Sequence, residues 1–440
     1  MQKSISGFSK LSKRKKLQWI VENFFRDPEG VMKELMSYWL IDEEKQKLLD
    51  RFSENTISNF YLPYGVAPNF LINGKSYCIP MVIEESSVVA AAANAAKYWL
   101  SRGGFHAQVK STEKVGQIHF SWDGNIDLLI NRIDALKDRL RHRSEDLTKN
   151  MEQRGGGITK IELVDLSHSL ANTYQLRVSF KTADSMGANF INSVLESFAK
   201  TLVEFVACEP CFEPHRQDLE IIMSILSNYT PECLVQAWVE CPIEALGTFE
   251  SYDSLQLAKR FQKAIQIAKV DPYRATTHNK GIFNGIDAVI LATANDFRAV
   301  EANGHTYAAR DGQYRGLTDC SIQDGTFRFS LEIPMAIGTV GGLTTLHPMA
   351  KHSLELLGHP DAEELMKIIA VMGLAQNFAA VRSLITTGIQ KGHMRMHLYN
   401  VLASLNATEY EIEQTVAHFR DQVVSYAAVR EFVGRLRTSR

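Results

Sequence analysis

The strongest constraint on the fold is a change in hydrophobic periodicity near residue 105. An alanine-rich stretch before it, 86–99, has the pattern of a buried core helix, and it ends at Gly103-Gly104. Between about 105 and 230, apolar and polar residues alternate, which predicts strands. The strand segments are FHAQVKS, GQIHFSW, KIELVDLSHSL and TYQLRVSFKTA. Two helical segments, 125–147 and 188–206, separate or follow them. This order predicts an α+β fold with a small domain inserted into a larger one.

The length of the chain indicates several domains, because 440 residues are more than usually pack around a single hydrophobic core. We predict that 1–110 and 229–388 form the large domain, that 111–228 form the small domain, and that 389–440 form a C-terminal part. No low-complexity linker separates these parts, so we expect them to pack closely. The stretch from Leu62 to Lys75 is rich in Pro and Gly and is interpreted as an irregular loop.

Composition excludes several classes of protein. A net charge of −2 offers no field for nucleic acid, and no long apolar run indicates a membrane span or a signal peptide. We therefore expect a cytoplasmic protein. Six cysteines are too few for a disulfide scaffold. Cys208 and Cys211 form a CxxC, but no second closely spaced pair completes a zinc set, so we predict buried, unrelated thiols and no metal.

Two adjacent carboxylates, Glu84 and Glu85, precede the alanine-rich helix. Such a pair commonly just complements the helix dipole. Here apolar runs flank it on both sides, which predicts an enclosed carboxyl with the raised pKa that a general acid needs.

A second cluster, Arg274-Ala-Thr-Thr-His-Asn-Lys280-Gly, is dense in hydrogen-bond donors and predicts a loop. A lysine beside apolar segments suits the stabilisation of an oxyanion. Asp296 follows the next apolar segment and is expected to return to Lys280 and keep it charged. A surface loop with a structural ion pair is the alternative.

Two glycine-containing motifs offer backbone amides. In Asp184-Ser-Met-Gly187-Ala-Asn189, Asp184 is predicted to cap the helix that follows, and the small residues would let a phosphate approach. A plain capped helix explains the motif equally well. Gly338-Thr-Val-Gly341-Gly342 is equally ambiguous, and no Rossmann GxGxxG fingerprint is present. In the C-terminal part, His393 and His397 suit a proton donor on a closing tail, or simply an exposed helix.

Taken together and in order, seven sequence blocks resemble the class II, soluble bacterial-type 3-hydroxy-3-methylglutaryl-CoA (HMG-CoA) reductases over nearly the whole chain. The blocks are GFSKLSKRKKLQWI, ENTISNFYLPYGVAPNFLINGKSYCIPMVIEESSVVAAAA, RGGG, DSMGAN, ATTHNKGIFNGIDAVILATANDFRAVEA, GTVGGLTTLHP and GIQKGHMRMH. The chain departs from the family pattern at Ser58, where glycine is usual, and in DSMGAN, where DAMGAN is usual. Neither difference removes a catalytic side chain.

The resemblance implies reduction of (S)-HMG-CoA to (R)-mevalonate and CoA by two hydride transfers, through mevaldyl-CoA and mevaldehyde, in a reversible reaction. It assigns the acid to Glu85, the oxyanion contact to Lys280, a bridging carboxylate to Asp296, and protonation of the CoA thiolate to His393. Substrate contacts follow at three matching positions: Ser87, Arg274 and Asn284. Cofactor contacts follow at seven positions: Lys160, Asp184, Met186, Gly187, Asn189, Gly341 and Gly342.

The resemblance also implies a non-Rossmann, ferredoxin-like α/β sandwich that binds the dinucleotide, a C-terminal helical flap, and a homodimer with the active site between subunits. Lys160 stands where some NADH-using relatives carry an acidic residue, so we predict NADPH over NADH. Two other functions stay open at this point. One is a catalytically silent relative that binds CoA or dinucleotide, and the other is an acyl-CoA thioesterase.

Overall fold

The computed structural model describes residues 4–249, 252–386, 398–399, 401–419, 422 and 424–438. The chain divides into two compact units, Met1–Pro63 and Tyr64–Arg440. The first unit contains helices α1 (Lys13–Phe24), α2 (Pro28–Ser37) and α3 (Glu43–Asp50). Their N-termini are capped by the side chains of Ser12, Asp27 and Asp42. An ion pair of 2.6 Å between Lys13 and Asp50 ties the start of α1 to the end of α3.

The second unit opens with a β-hairpin, and the predicted irregular loop at 62–75 is wrong. Strands β1 (Tyr64–Ile72) and β2 (Lys75–Val82) are antiparallel. Asn73 and Gly74 both have positive φ, as a tight two-residue hairpin turn requires. The pairing register shifts between Ala67 and Phe70, so the proline and the asparagine in β1 are accommodated at an irregularity.

The larger part of this unit surrounds an antiparallel sheet in the order β3-β8-β10-β9. Its strands are β3 (His106–Val109), β8 (Leu234–Pro242), β9 (Thr318–Gln323) and β10 (Thr326–Pro334). The accompanying helices are α4 (Ser86–Leu100), α8 (Ser254–Val270), α9 (Pro272–Ala292), α10 (Phe297–Ala308), α11 (Gly342–Leu346), α12 (Pro348–Leu356) and α13 (Ala362–Ile385). The alanine-rich α4 is confirmed as a core helix, with Ala92, Ala95, Ala96 and Trp99 fully buried.

Helix α13 is the one helix of the described residues that is long and apolar enough to cross a membrane. Its most apolar stretch is 67% buried inside the protein, and it contributes Leu365, Ile369 and Met372 to the core. Burial inside the unit accounts for its composition, since a core helix is apolar on all sides.

Residues 114–226 form a second set of strands and helices with a hydrophobic cluster of their own. Its antiparallel sheet runs in the order β5-β6-β4-β7. The elements are β4 (Lys114–Ser121), α5 (Ile126–Asn131), α6 (Ile133–Glu152), β5 (Gly157–Asp165), β6 (Thr173–Lys181), α7 (Ala188–Cys208) and β7 (Glu220–Leu226). One face of α7 packs into this core, where Val194, Phe198 and Leu202 are fully buried. Strand β7 was not expected from the sequence.

Two further helices lie in the described part of residues 389–440. Helices α14 (Glu409–His418) and α15 (Tyr426–Thr438) share a small core of their own. Thr408 and Glu411 form a capping box, and Glu411 also pairs with Arg437 at 2.9 Å. The predicted domain bounds at 110, 228 and 388 stay predictions, since the compact units divide at residue 63.

Candidate active site

The donor-rich segment 274–281 is helical, so the predicted loop is wrong. It forms the N-terminal half of α9, where Pro272 is the first residue and Asp271 caps the backbone N–H of Tyr273. The helix accommodates the polar residues because they divide between its faces. His278 and Asn279 are buried, whereas the Lys280 side chain is 67% exposed.

The two buried polar residues fix α9 to distant segments. The side-chain amide of Asn279 donates to the carbonyl of Arg315 at 2.9 Å and accepts from the N–H of Leu317 at 3.0 Å. His278 Nε2 contacts Thr318 Oγ1, and burial lowers the pKa of His278 to about 3, so this imidazole is neutral. These bonds determine where α9 presents Lys280.

The side chains of Lys280 and Glu85 lie close together. Lys280 Nζ is 3.8 Å from Glu85 Oε2. Glu85 is the N-cap residue of α4 but makes no side-chain cap bond, so its carboxylate is free to face Lys280. Ser87 Oγ donates to the other carboxylate oxygen, Oε1. The predicted enclosure of this carboxyl is wrong for the single chain, because the Glu85 side chain is 39% exposed where β2 leaves the core.

Asp296 occupies the N-cap of α10. Its Oδ1 accepts from the backbone N–H groups of Arg298 and Ala299 at 3.1 and 3.2 Å, and the guanidinium of Arg298 lies 3.3 Å away. Within the described residues no ion pair joins Asp296 to Lys280. The helix rise explains this, since about 18 Å of α9 separates Lys280 from the helix end near Asp296. A contact of Asp296 with Lys280 therefore stays a prediction.

The other predicted substrate residues also lie on α9. Arg274 is half-buried, and burial lowers its pKa while Asp271 opposes the shift. Asn284 is half-buried one turn beyond Lys280. His393 and His397 fall outside the described residues, so their role stays a prediction.

The two glycine motifs, 184–189 and 338–342, are in contact, although they are far apart in the sequence. The carbonyl of Asp184 accepts from the N–H groups of Thr339 and Val340 at 2.8 and 3.3 Å. A Cβ at Gly338 would lie 2.5 Å from the backbone nitrogen of Met186, so only glycine fits this contact without movement. Asn295, next to Asp296, accepts from the N–H of Gly338 at 2.9 Å. The motifs are thus tied to the segment between α9 and α10.

Asp184 does not cap α7, contrary to prediction. The N-cap is Gly187, with φ of 91° and no side-chain cap bond, and Asp184 Oδ1 instead accepts from the N–H of Ala362 at 3.0 Å. The backbone N–H groups in the first turn of α7 therefore receive no hydrogen-bond acceptor from an N-cap side chain. Asn189, in the same turn, is exposed. Gly341 and Gly342 are exposed, both with positive φ.

Lys160 lies on β5, and its ammonium group pairs with Glu162 at 2.7 Å. Both side chains are substantially exposed, at 60% and 39%. Both groups are therefore in contact with solvent. Its role with a cofactor stays a prediction.

The sequence reasoning missed two further groups near these motifs. One is Lys114, which is buried beside a small cavity that Met186, Asn228 and Ala299 also line. The signal for it is the inward alternation of residues 114, 116, 118 and 120 along β4. The other is a pair of neighbouring carboxyls, Asp287 and Glu301.

Asp287 lies on α9 and Glu301 lies on α10. Burial, together with the neighbouring Glu301, raises the pKa of Asp287 to about 8, and Asp287 Oδ1 is buried without a hydrogen-bond partner in the described structure. On the same turn of α10, His305 packs on Phe283 and contacts Tyr314 Oη at 2.7 Å. The sequence gives no periodic pattern from which the proximity of residues 287 and 301 could be predicted.

The CxxC motif shows no metal site. Cys208 and Cys211 are exposed free thiols, so their predicted burial is wrong, whereas Cys233 and Cys241 are buried. Within the described ranges no three His, Cys, Asp or Glu side chains are grouped as metal ligands.

Comparisons with known proteins show the family of the chain. The family model described as hydroxymethylglutaryl-coenzyme A reductase matches residues 15–398. The 3-hydroxy-3-methylglutaryl-coenzyme A reductase of Archaeoglobus fulgidus is 36% identical over all of this chain and 96% of its own length. A probable reductase of the same name from Borreliella burgdorferi is 32% identical over 93% of this chain and 90% of its own.

Solved structures give the same result. The 3-hydroxy-3-methylglutaryl-coenzyme A reductase of Streptococcus pneumoniae matches with a TM-score of 0.72 and 33% identity, covering 98% of this chain and 100% of that one. A structure of the class II enzyme from that organism, bound to NADPH in open conformations, matches with a TM-score of 0.71 and 34% identity over 87% of this chain and 100% of its own. The chain therefore belongs to the hydroxymethylglutaryl-coenzyme A reductase family and to its class II group.

Proposed function

We propose that this chain reduces HMG-CoA to mevalonate and CoA with two equivalents of NAD(P)H, in a reversible reaction. The observation that carries the proposal is the pairing of Lys280 with Glu85 at 3.8 Å, with Ser87 bonded to the same carboxylate. A cation beside a potential proton donor is what reduction of a thioester carbonyl requires.

The roles of the two side chains follow from the charge that develops on the substrate. As a hydride adds to the thioester carbon, its oxygen becomes an oxyanion, which the ammonium group of Lys280 stabilises. Glu85 supplies the proton at the following carbonyl stage, and the hydroxyl of Ser87 orients it through Oε1. Arg274 and Asn284, on the same helix, bind the carboxylate and hydroxyl of the HMG group. His393 protonates the departing CoA thiolate.

The residues around α7 fit an anionic dinucleotide. Gly187 leaves the first-turn amides of α7 without a side-chain cap, and a helix N-terminus favours negative charge. The exposed Gly341 and Gly342 would admit a ligand close to the backbone. The chemistry supplied by the bound dinucleotide is hydride transfer, once at each reduction. Asp184, Met186 and the N-terminal turn of α7 orient it.

We propose NADPH as the preferred cofactor, because Lys160 presents an exposed cation that favours a 2′-phosphate. Its partner Glu162 is also exposed, so the pair is screened by solvent and is easily rearranged. NADH would lack the group that Lys160 attracts.

We further propose a homodimer with the active site between subunits. About 18 Å of α9 lies between Lys280 and the end of the helix near Asp296. An Asp296 that keeps Lys280 charged would thus come from the partner subunit. In this arrangement residues 111–228 bind the dinucleotide as a ferredoxin-like domain, 1–110 and 229–388 bind HMG-CoA, and 389–440 close over the site. We place the enzyme in the cytoplasm.

The test follows reduced nicotinamide by absorbance and CoA release by a thiol reagent, with HMG-CoA as substrate. We expect two equivalents of NADPH oxidised per CoA released. CoA release without NADPH oxidation would instead identify a thioesterase. Binding of CoA or dinucleotide with neither product would identify a silent relative, and either result would overturn the proposal.

A further inference from the structure

Lys114 is a lysine whose side chain lies almost wholly inside the protein. It is the first residue of β4 and is 4% exposed. Its ammonium group donates to Thr182 Oγ1 and, at 2.8 Å, to the carbonyl of Ser185. Both acceptors belong to residues 182–187, which we call the dinucleotide turn. Of the three donors of an ammonium group, two are therefore directed at this turn.

The dinucleotide turn is also closed by its own bonds. Thr182 Oγ1 donates to the carbonyl of Ser185 at 2.7 Å, and Ser185 Oγ donates back to the carbonyl of Thr182 at 2.9 Å. A Cβ on Gly187 would lie 2.4 Å from Thr182 Cγ2, so the turn is compact where α7 begins. Lys114 contacts the turn from the interior of the protein, and Gly338, in the glycine motif 338–342, also contacts it.

The stability of the folded protein does not explain why a lysine occupies this buried position. A buried cation loses hydration, and an apolar residue of similar volume is often as stable or more stable there. Burial lowers the pKa of Lys114, while Asp184 and Cys233 act in the opposite direction. The hydrogen bonds to the turn survive in either protonation state, because a neutral amine still has two N–H donors. What the lysine adds is a fixed position for the carbonyl of Ser185.

We propose that Lys114 is a positioning residue for the cofactor: by bonding Thr182 and Ser185 it holds the dinucleotide turn so that the free amides of α7 face the ligand. The inference rests on the proposed function, since it assumes that the dinucleotide binds at this turn. It differs from the role of Lys160, because a residue that acts on the turn affects NADPH and NADH alike.

The experiment compares Lys114→Met with the control Lys110→Met. Lys110 is an exposed lysine, four residues before Lys114, that pairs with Glu332. Binding of NADPH and of NADH is titrated through the fluorescence of the reduced nicotinamide, and KM values are measured for cofactor and for HMG-CoA. For Lys114→Met we expect both dinucleotides to bind about tenfold more weakly, because the turn loses the two bonds that fix its position. Their affinity ratio and the KM for HMG-CoA should stay within twofold of wild type, and Lys110→Met should change neither.

A second variant, Thr182→Val, removes the hydroxyl partner with little change of shape, and it decides the question if Lys114→Met does not fold. Unchanged dinucleotide affinity in the folded variants would overturn the role of Lys114 while leaving the proposed function intact. An equal rise in the KM for HMG-CoA would also overturn it, since that indicates a general structural effect. A wild-type enzyme that binds neither dinucleotide would instead remove the proposed function, and this inference with it.

Discussion

Replacing Asp287 by Asn should make stability less dependent on pH. Burial, together with the neighbouring Glu301, raises the pKa of Asp287 to about 8, well above the usual value of about 4 for a carboxyl in the unfolded chain. Between these two pH values the folded state holds a proton that the unfolded state has released. The stability of the wild type therefore falls as pH rises through this window and levels off above about 8. Asn carries its own N–H donor toward Glu301 and needs no proton.

The size of the effect follows from linkage. One pKa unit corresponds to about 1.4 kcal/mol, so a full proton taken up on folding costs about 3 kcal/mol between pH 5 and pH 7. Since Asp287 shares its proton with Glu301, we expect a relative gain for Asp287→Asn of about 2 kcal/mol over this interval.

Apparent melting temperatures, measured at several pH values from 5 to 8, test this prediction. The variant should match the wild type near pH 5 and exceed it by several degrees near pH 8. Asp146→Asn, an exposed change on α6, is the control and should follow the wild type throughout. A constant difference between Asp287→Asn and the wild type across the range would show that Asp287 takes up no proton on folding.

Two further predictions concern the cofactor and the subunit interface. Lys160→Asp should lower the preference for NADPH over NADH by about tenfold, since a carboxylate repels the 2′-phosphate. The preference is measured as the ratio of kcat/KM for the two cofactors, with Lys149→Asp on α6 as the control. An unchanged ratio would exclude Lys160 as the residue that discriminates between the cofactors. Mixing inactive Lys280→Ala and Asp296→Ala chains should restore about a quarter of the wild-type activity, because half of the dimers would be mixed and each would carry one intact site. No recovery after verified subunit exchange would show that Lys280 and Asp296 act within one chain.

The local signals in the sequence predicted much of the fold. The alternation of β4, β5 and β6, the apolar stripe of α7 and the alanine-rich α4 all reflect burial on one face of an element, which periodicity records directly. Strand β1 was missed because Pro68 and Asn69 lie at its irregular pairing, where the usual alternation is interrupted.

The errors at the site come from partners far away in sequence. His278 and Asn279 resemble loop donors, yet Thr318, Arg315 and Leu317 satisfy them inside a helix. Asp184 resembles a helix cap, but its carboxylate bonds to Ala362, 178 residues away. Local propensity cannot anticipate such bonds, because they form only once the chain has folded.

The role of Lys280 in stabilising the oxyanion of the thioester is measured by the turnover of Lys280→Ala with HMG-CoA and saturating NADPH. We expect kcat to fall by about 100- to 1000-fold with little change in the KM for HMG-CoA, as for the loss of one oxyanion donor. Lys263→Ala, an exposed lysine on α8, should keep wild-type turnover. A folded Lys280→Ala enzyme with kcat within about threefold of wild type would contradict the account.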